Sequence, residues 1–229
     1  MTSVLITGAN RGIGLALTQT YAARGDQVFA TCRNPESAED LQRLAAANQA
    51  VTVICLDVTE PETISAAAAT LGGASLDILI NNAGTLFPRR QTGLDMDFDG
   101  WSDAFAINTM GPLRVAQAFL PNLRAGGDGR IVTVTSQMSS SASAASNYLA
   151  YRSTKAALNR AMQGLAIELR SEGIVVIVMH PGWVRTAMGG QAAPLSAKDS
   201  AAGIASVIDN LSAGDSGKFF NMDGRQIPW

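Results

Sequence analysis

Ser3-Val4-Leu5-Ile6-Thr7 is a short apolar run of strand formers. It leads directly into Gly8-Ala9-Asn10-Arg11-Gly12-Ile13-Gly14, and a helical pattern follows through Leu15, Ala16, Leu17, Tyr21 and Ala22 until Gly25. A strand delivered through three glycines into a helix is the unit from which wound α/β sheets are built. Gly8, Gly12 and Gly14 let the backbone come close to a ligand. The helix that follows offers free N–H groups and the positive end of its dipole to a phosphate. The same spacing also suits an ordinary tight turn, so the ligand has to be argued from the rest of the chain.

The rest of the chain repeats the alternation. Apolar runs of strand length lie over 28–31, 51–56, 77–80, 131–135, 174–179 and 217–220, separated by segments with helical spacing. This predicts a single-domain α/β fold: a doubly wound parallel sheet of about seven strands, helices on both faces, and right-handed crossovers. Pro35 precedes a helix over 36–47. Thr59 with Glu62 has the spacing of a capping box opening the next helix. A long helix over 98–123 should be kinked at Gly111-Pro112, and it carries Asn108, a poor helix former, in an apolar stretch.

Composition narrows the class. The 229 residues are 47% hydrophobic and 16% charged, with net charge −2. This suits one domain with a large core and gives no pull toward nucleic acid or an anionic membrane. The longest aliphatic run, 174–179, is far below a membrane span, and the N-terminal run is too short for a signal peptide. A cytoplasmic protein is expected. Cys32 and Cys55, both in strand segments, are expected to be buried reduced thiols, although one disulfide is arithmetically possible. No Cys/His cluster has metal-ligand spacing, and no metal is expected.

The chemistry concentrates at Tyr151-Arg152-Ser153-Thr154-Lys155, at the start of a long Ala-rich helix. Tyr151 and Lys155 are four apart and share one helix face. A nearby cation favours the phenolate and lowers the phenol's pKa, which makes the pair a proton donor and acceptor near neutral pH. Other polar residues stand at strand ends, where open α/β sheets bind ligands: Arg33, Asp57, Asn81-Asn82-Ala83-Gly84, Ser136 and His180-Pro181-Gly182. Asp57 serves equally well as a loop cap. At the end of the second strand an acid would bind a ribose 2′-hydroxyl, whereas an Arg accommodates a 2′-phosphate. Cys32-Arg33 presents no acid, and Arg11 supplies a second cation, although two solvated arginines fit the same residues.

Taken together, Thr7-Gly8-Ala9-Asn10-Arg11-Gly12-Ile13-Gly14, Asp57, Asn81-Asn82-Ala83-Gly84, Asn108, Ser136, Tyr151 with Lys155, and Pro181-Gly182 resemble the short-chain dehydrogenase/reductase family. They come in its order and cover essentially the whole chain. The stretch from Tyr151 to Asn159 and the ending Gly217-Lys218-Phe219-Phe220-Asn221-Met222-Asp223-Gly224 look most like the carbonyl reductases of the sniffer and C-factor type. Ser136 precedes Tyr151 by slightly more than the family's usual spacing, and Tyr148 lies nearer that spacing. Four positions beyond Tyr148, however, is Arg152, which hardly loses its proton. Tyr151 is therefore assigned the chemistry and Tyr148 the pocket wall.

The resemblance implies hydride transfer between a nicotinamide and a carbonyl or alcohol substrate, with NADP(H) preferred over NAD(H). It implies Tyr151 as general acid, with Ser136 bonded to the same oxygen. Lys155 would lower the Tyr151 pKa and hold the nicotinamide ribose, and Asn108 would hold a relay water. Gly8, Asn10, Arg11, Gly12, Ile13 and Gly14 would cradle the pyrophosphate, and Arg33 would meet the 2′-phosphate. Asp57 and Val58 would lie at the adenine, and Asn82, Ala83 and Gly84 along the adenosine ribose. Pro181, Gly182, Val184 and Thr186 would border the nicotinamide. His180 is expected to take no catalytic part. Substrate contacts are expected over 85–93, 137–148 and 183–197. A homodimer or homotetramer is expected, pairing helices through Ala116, Ala118, Ala157 and Ala161. The alternative is a dinucleotide-binding signalling or regulatory protein with little turnover. An extended epimerase or dehydratase would need more chain after Thr186.

Overall fold

The computed structural model describes residues 1–142 and 145–229. In chain order the elements are β1 (Ser3–Thr7), α1 (Gly12–Ala23), β2 (Gln27–Cys32), α2 (Glu39–Ala47), β3 (Val51–Cys55), α3 (Pro61–Leu71) and β4 (Ile78–Asn81). A small antiparallel hairpin follows, β5 (Gln91–Thr92) and β6 (Asp95–Met96). Then come α4 (Phe98–Phe105), α5 (Gly111–Gly126), β7 (Arg130–Val134), α6 (Leu149–Glu168), β8 (Val175–His180), α7 (Ala197–Asp209) and β9 (Phe219–Asn221). Seven strands pair in parallel in the order β3-β2-β1-β4-β7-β8-β9, as the alternating pattern predicts.

The strands are apolar without alternation because both faces are covered. Val4 and Ile6 of β1 point to one side, where Leu17 and Tyr21 of α1 and Ile204 and Ile208 of α7 close the core. Leu5 points to the other, against Ile64 of α3, Phe119 of α5 and Leu158 and Met162 of α6. Each such side chain taken fully from water contributes about 1.5–3 kcal/mol, so these two layers dominate the stability.

The chain winds from β1 to β2 and β3 on one side and then crosses to β4 on the other. The switch point therefore lies between the C-terminal ends of β1 and β4. There the glycine turn meets the loop after β4. Gly8 has φ +66, and a Cβ on it would stand 3.0 Å from Ala83 Cα. At Gly14 a Cβ would lie within bonding reach of the Gly8 carbonyl oxygen, so only glycine lets α1 begin this close to the turn.

Four local expectations are corrected. The second helical segment is divided, with a 3-10 turn over Pro35–Ser37 and α2 starting at Glu39. Thr59 and Glu62 form no capping box: α3 starts at Pro61 behind Glu60, and the Thr59 hydroxyl donates instead to Asp57 Oδ1 at 2.7 Å. The kink before Pro112 is a π turn over Ala106–Met110 joining α4 to α5. Cys55 is exposed rather than buried, and both thiols are free.

Candidate active site

α6 places Tyr151 and Lys155 in its first two turns, one above the other, with 9% and 3% of their surfaces exposed. Both polar ends are thus held in a poorly hydrated place. Burial pushes the Tyr151 phenol up to about 12, and the hydrogen bond of Ser136 pulls the other way. Burial also lowers Lys155 to about 8. Its Nζ donates to the Val134 carbonyl at the end of β7 (2.9 Å). The expected depression of the Tyr151 pKa by Lys155 is therefore corrected. Desolvation sets the direction, and Ser136 is the group that favours the phenolate.

Ser136 follows β7 and caps a 3-10 turn over Gln137–Ser139, its oxygen accepting from the Met138 N–H at 3.1 Å. With that lone pair taken, its own proton is directed elsewhere. The turn is braced from α6, where Asn159 Nδ2 donates to Ser139 Oγ (2.8 Å) and Ser139 in turn donates to the Ser136 carbonyl.

Asn108 sits fully buried in the π turn. Its Oδ1 accepts from Thr85 N (2.8 Å), and its Nδ2 donates to Thr85 O (2.9 Å) and Thr154 Oγ1 (3.1 Å). The side chain ties the loop after β4 to α6, which leaves only acceptor capacity for a water. π turns recur at functional sites, and this one aims a buried amide at α6.

The glycine turn fits an anionic dinucleotide. α1 has Arg11 at its N-cap in an extended conformation, with no side-chain cap and no acid in its first turn, so its N–H groups and dipole face outward unopposed. Thr186 packs against the same turn, its Cγ2 3.2 Å from where a Gly12 Cβ would stand. Ile13 packs on the core, and Asn10 is half-buried beside it. Asn82 is committed to holding the switch point, with Nδ2 donating to Thr7 O (2.9 Å) and Gly8 O (3.2 Å), while Ala83 N donates to Thr7 Oγ1 (3.0 Å). Gly84 stands between Asn108 and Lys155; a Cβ there would be 3.4 Å from Lys155 Nζ.

At the adenosine end, Arg33 is exposed and its Nε lies 4.0 Å from Asp57 Oδ2. Asp57 Oδ1 accepts from Thr59 N and Oγ1, so this carboxylate holds its own loop as well as facing Arg33. Val58 is buried against Gly111. On the opposite side, Pro181 and Val184 are buried and Gly182 has φ +85. Thr186 Oγ1 accepts from Gly189 N (3.0 Å). His180 keeps a neutral ring: burial lowers it to about 4, and its buried Nδ1 has no partner among the described residues.

A cleft of about 430 Å³ runs from Arg11 and Gly84 past Leu86, Phe87 and Tyr148 to Met188. Tyr148 is 42% exposed in a left-handed conformation (φ 55) and forms part of this wall. Of the expected substrate segment 137–148, residues 143 and 144 lie outside the described residues. A larger depression of about 540 Å³ between α7 and β9 lies away from Tyr151, and its acids Asp215 and Asp223 are already paired with Lys218 and Arg225. The smaller cleft is the one that adjoins the Tyr151 end of α6, through Gln91 and Tyr148. Asn159, Thr154 and Gln91, which brace these residues, carry no local sequence signal, because each bonds a segment distant in the chain.

Comparison with known proteins gives a consistent result. Residues 2–195 match the short chain dehydrogenase family. The chain is 46% identical over 155 residues to the C-signal of Myxococcus xanthus, covering 67% of this chain and 93% of that protein. Its structure superimposes on the NADPH-bound carbonyl reductase from chicken fatty liver with TM-score 0.94 at 37% identity, covering 100% and 99% of the two chains. The carbonyl reductase Sniffer of Drosophila melanogaster gives TM-score 0.93 at 31% identity, with both chains covered completely.

Proposed function

Since the chain belongs to the short-chain dehydrogenase family, and so to the NAD(P)-dependent oxidoreductases, we propose that it reduces a ketone or aldehyde with NADPH, Tyr151 donating the proton. The observation that carries this reading is the buried set Ser136, Tyr151 and Lys155 beside a cleft whose walls mix Leu86, Phe87, Tyr148 and Met188 with Arg11 and Arg89. The nicotinamide, when bound, supplies the hydride.

The chain's own residues hold and move the proton. Tyr151 gives its phenolic proton to the substrate oxygen. Ser136 donates to the same oxygen, so two donors meet charge as it develops there. Lys155 would hold the nicotinamide ribose, and Asn108 would hold a water linking Lys155 to solvent, the route by which the proton given up by Tyr151 is replaced. Gly8, Gly12, Gly14 and Arg11 would hold the pyrophosphate, and Arg33 the 2′-phosphate. The test is a panel of ketones, aldehydes and quinones followed by loss of NADPH absorbance. No turnover on any class, with NADPH bound, would favour the signalling alternative, which the likeness to C-signal keeps in view.

The pH profile should report Lys155. Tyr151 stays protonated to about 12, whereas Lys155 loses its proton near 8. Below that value the ammonium is intact and above it the charge is gone, so kcat/KM for reduction should fall as pH rises through about 8. A flat profile from about pH 7 to about pH 10 would show that this proton is not needed.

A homodimer or homotetramer is retained, with one correction. Ala116 lies in the core, and Ala118 and Ala161 are half-buried against it, so of the four only half-buried Ala157 is not packed on the core cluster. Light scattering at micromolar concentration should give a multiple of 23.9 kDa. A particle of that mass alone would defeat the expectation. Among the described residues, no helix is long and apolar enough to cross a membrane.

A further inference from the structure

The first turn of any α-helix has backbone N–H groups with no acceptor inside the helix, and a Ser, Thr, Asp or Asn at the N-cap usually satisfies the third residue's amide. α6 lacks this device. Its N-cap is Tyr148, which makes no side-chain cap. The amide that a cap would have served is that of Tyr151. It donates instead to Gln91 Oε1 at 3.1 Å, from a residue sixty positions earlier in the chain.

Gln91 is 6% exposed, so this is an interior contact. The other end of its side chain is equally occupied: Nε2 donates to the Leu86 carbonyl (2.8 Å) and to the Pro88 carbonyl. Leu86 and Pro88 form a wall of the cleft. Gln91 is itself held in place by the β5–β6 hairpin, where it registers with Met96. A single amide thus joins the substrate-side wall to the backbone of the residue assigned the proton transfer. Neither contact is available to an apolar side chain of the same size.

We propose that Gln91 is a positioning residue: by capping the Tyr151 amide and gripping the Leu86 and Pro88 carbonyls, it sets the distance between the phenol and a carbonyl substrate resting on that wall. The inference rests on Tyr151 being the proton donor. Gln91 does not touch the reacting atoms; it acts through Tyr151 and through the wall. Its two ends act on different steps. The acceptor end fixes the acid, and its loss should lower kcat. The donor end fixes the wall, and its loss should raise KM.

Gln91→Met keeps the volume and removes both ends. Gln91→Glu keeps an acceptor for the Tyr151 amide but opposes the two carbonyls. Both are measured against the native chain and Tyr151→Phe, with 4-nitrobenzaldehyde and NADPH, alongside hydrogen exchange of the peptide spanning Tyr151. Gln91→Met should lose about tenfold to a hundredfold in kcat, the scale of a small misplacement of a reacting group. NADPH affinity should hold, and the Tyr151 amide should exchange faster. Gln91→Glu should recover most of the kcat and the amide protection while KM stays raised. Native kcat in Gln91→Met, beside an inactive Tyr151→Phe, overturns the inference while leaving the proton donor standing. An active Tyr151→Phe would instead sink the assignment beneath it. If Gln91→Met does not fold, Gln91→Glu decides: retained kcat with raised KM supports the inference, and unchanged kinetics overturn it.

Discussion

Tyr151→Phe should lower carbonyl reduction by about 10²- to 10⁴-fold, the range of a positioned general acid, while NADPH binds almost as before. The loss corresponds to about 3–5 kcal/mol of transition-state stabilisation. The ring packs identically in both forms, so the fold and the nicotinamide side are untouched. What disappears is the phenolic proton. Ser136 remains to bond the developing oxyanion, which is why residual turnover should be measurable rather than zero. Burial makes the effect larger: with a pKa of about 12, Tyr151 is protonated at every physiological pH, and with 9% exposure water has little access to take its place. Tyr148→Phe is the control. Its side chain is exposed on the cleft wall, so the change should move KM and leave kcat in place. The measurements are turnover and NADPH affinity for both variants. Activity surviving in Tyr151→Phe but lost in Tyr148→Phe would reverse the roles given to the two tyrosines.

The parts of this site legible in the sequence are those that depend on short periodicities. Each apolar run became a strand within about two residues, because parallel strands are buried on both faces and show no alternation. Tyr151 and Lys155 share a face because four residues nearly complete a helical turn. What escaped the sequence depends on contacts between distant segments. Asn108 was visible as an anomaly in an apolar stretch, but the π turn that aims it was not. Gln91 stands between Arg90 and Thr92 in a polar loop, and nothing local marks it as the cap of a helix sixty positions later. The charge relation within the Tyr151–Lys155 pair was misjudged for the same reason. Spacing gives proximity, whereas the sign of a pKa shift also depends on desolvation, which only the assembled core supplies. Ala116 likewise reads like Ala157 in sequence, yet it is buried in the core whereas Ala157 is only half-buried.

The preference for NADPH over NADH should be on the order of tenfold to a hundredfold, with Arg33 as its main source. A charge-assisted hydrogen bond contributes roughly 1.5–3 kcal/mol, and about 1.4 kcal/mol is tenfold in affinity. Arg33 has 70% of its side chain exposed, and its only ionic neighbour is Asp57 at 4.0 Å among the described residues, so its guanidinium edge is available to a phosphate. The Asp57 carboxylate works against a 2′-phosphate, and removing Arg33 leaves it unopposed. Arg33→Ala should therefore lose both an attraction and a shield. Arg11 stands at the α1 N-cap with an exposed side chain and should account for a smaller share of the preference. Cys32 contributes by what it is not. Its side chain is 3% exposed and packs in the core beneath the β2 end, so no acid there repels a phosphate. The double variant Cys32→Asp with Arg33→Ala should reverse the order, provided the new carboxylate turns out of that core. A melting curve must accompany it, because a carboxylate left inside would unfold the chain rather than choose a cofactor. The measurement is kcat/KM with each cofactor at fixed ionic strength, since exposed charges are screened by salt. A native chain that uses NADH as well as NADPH, or an Arg33→Ala variant with the native ratio, would show that the end of β2 does not select the cofactor.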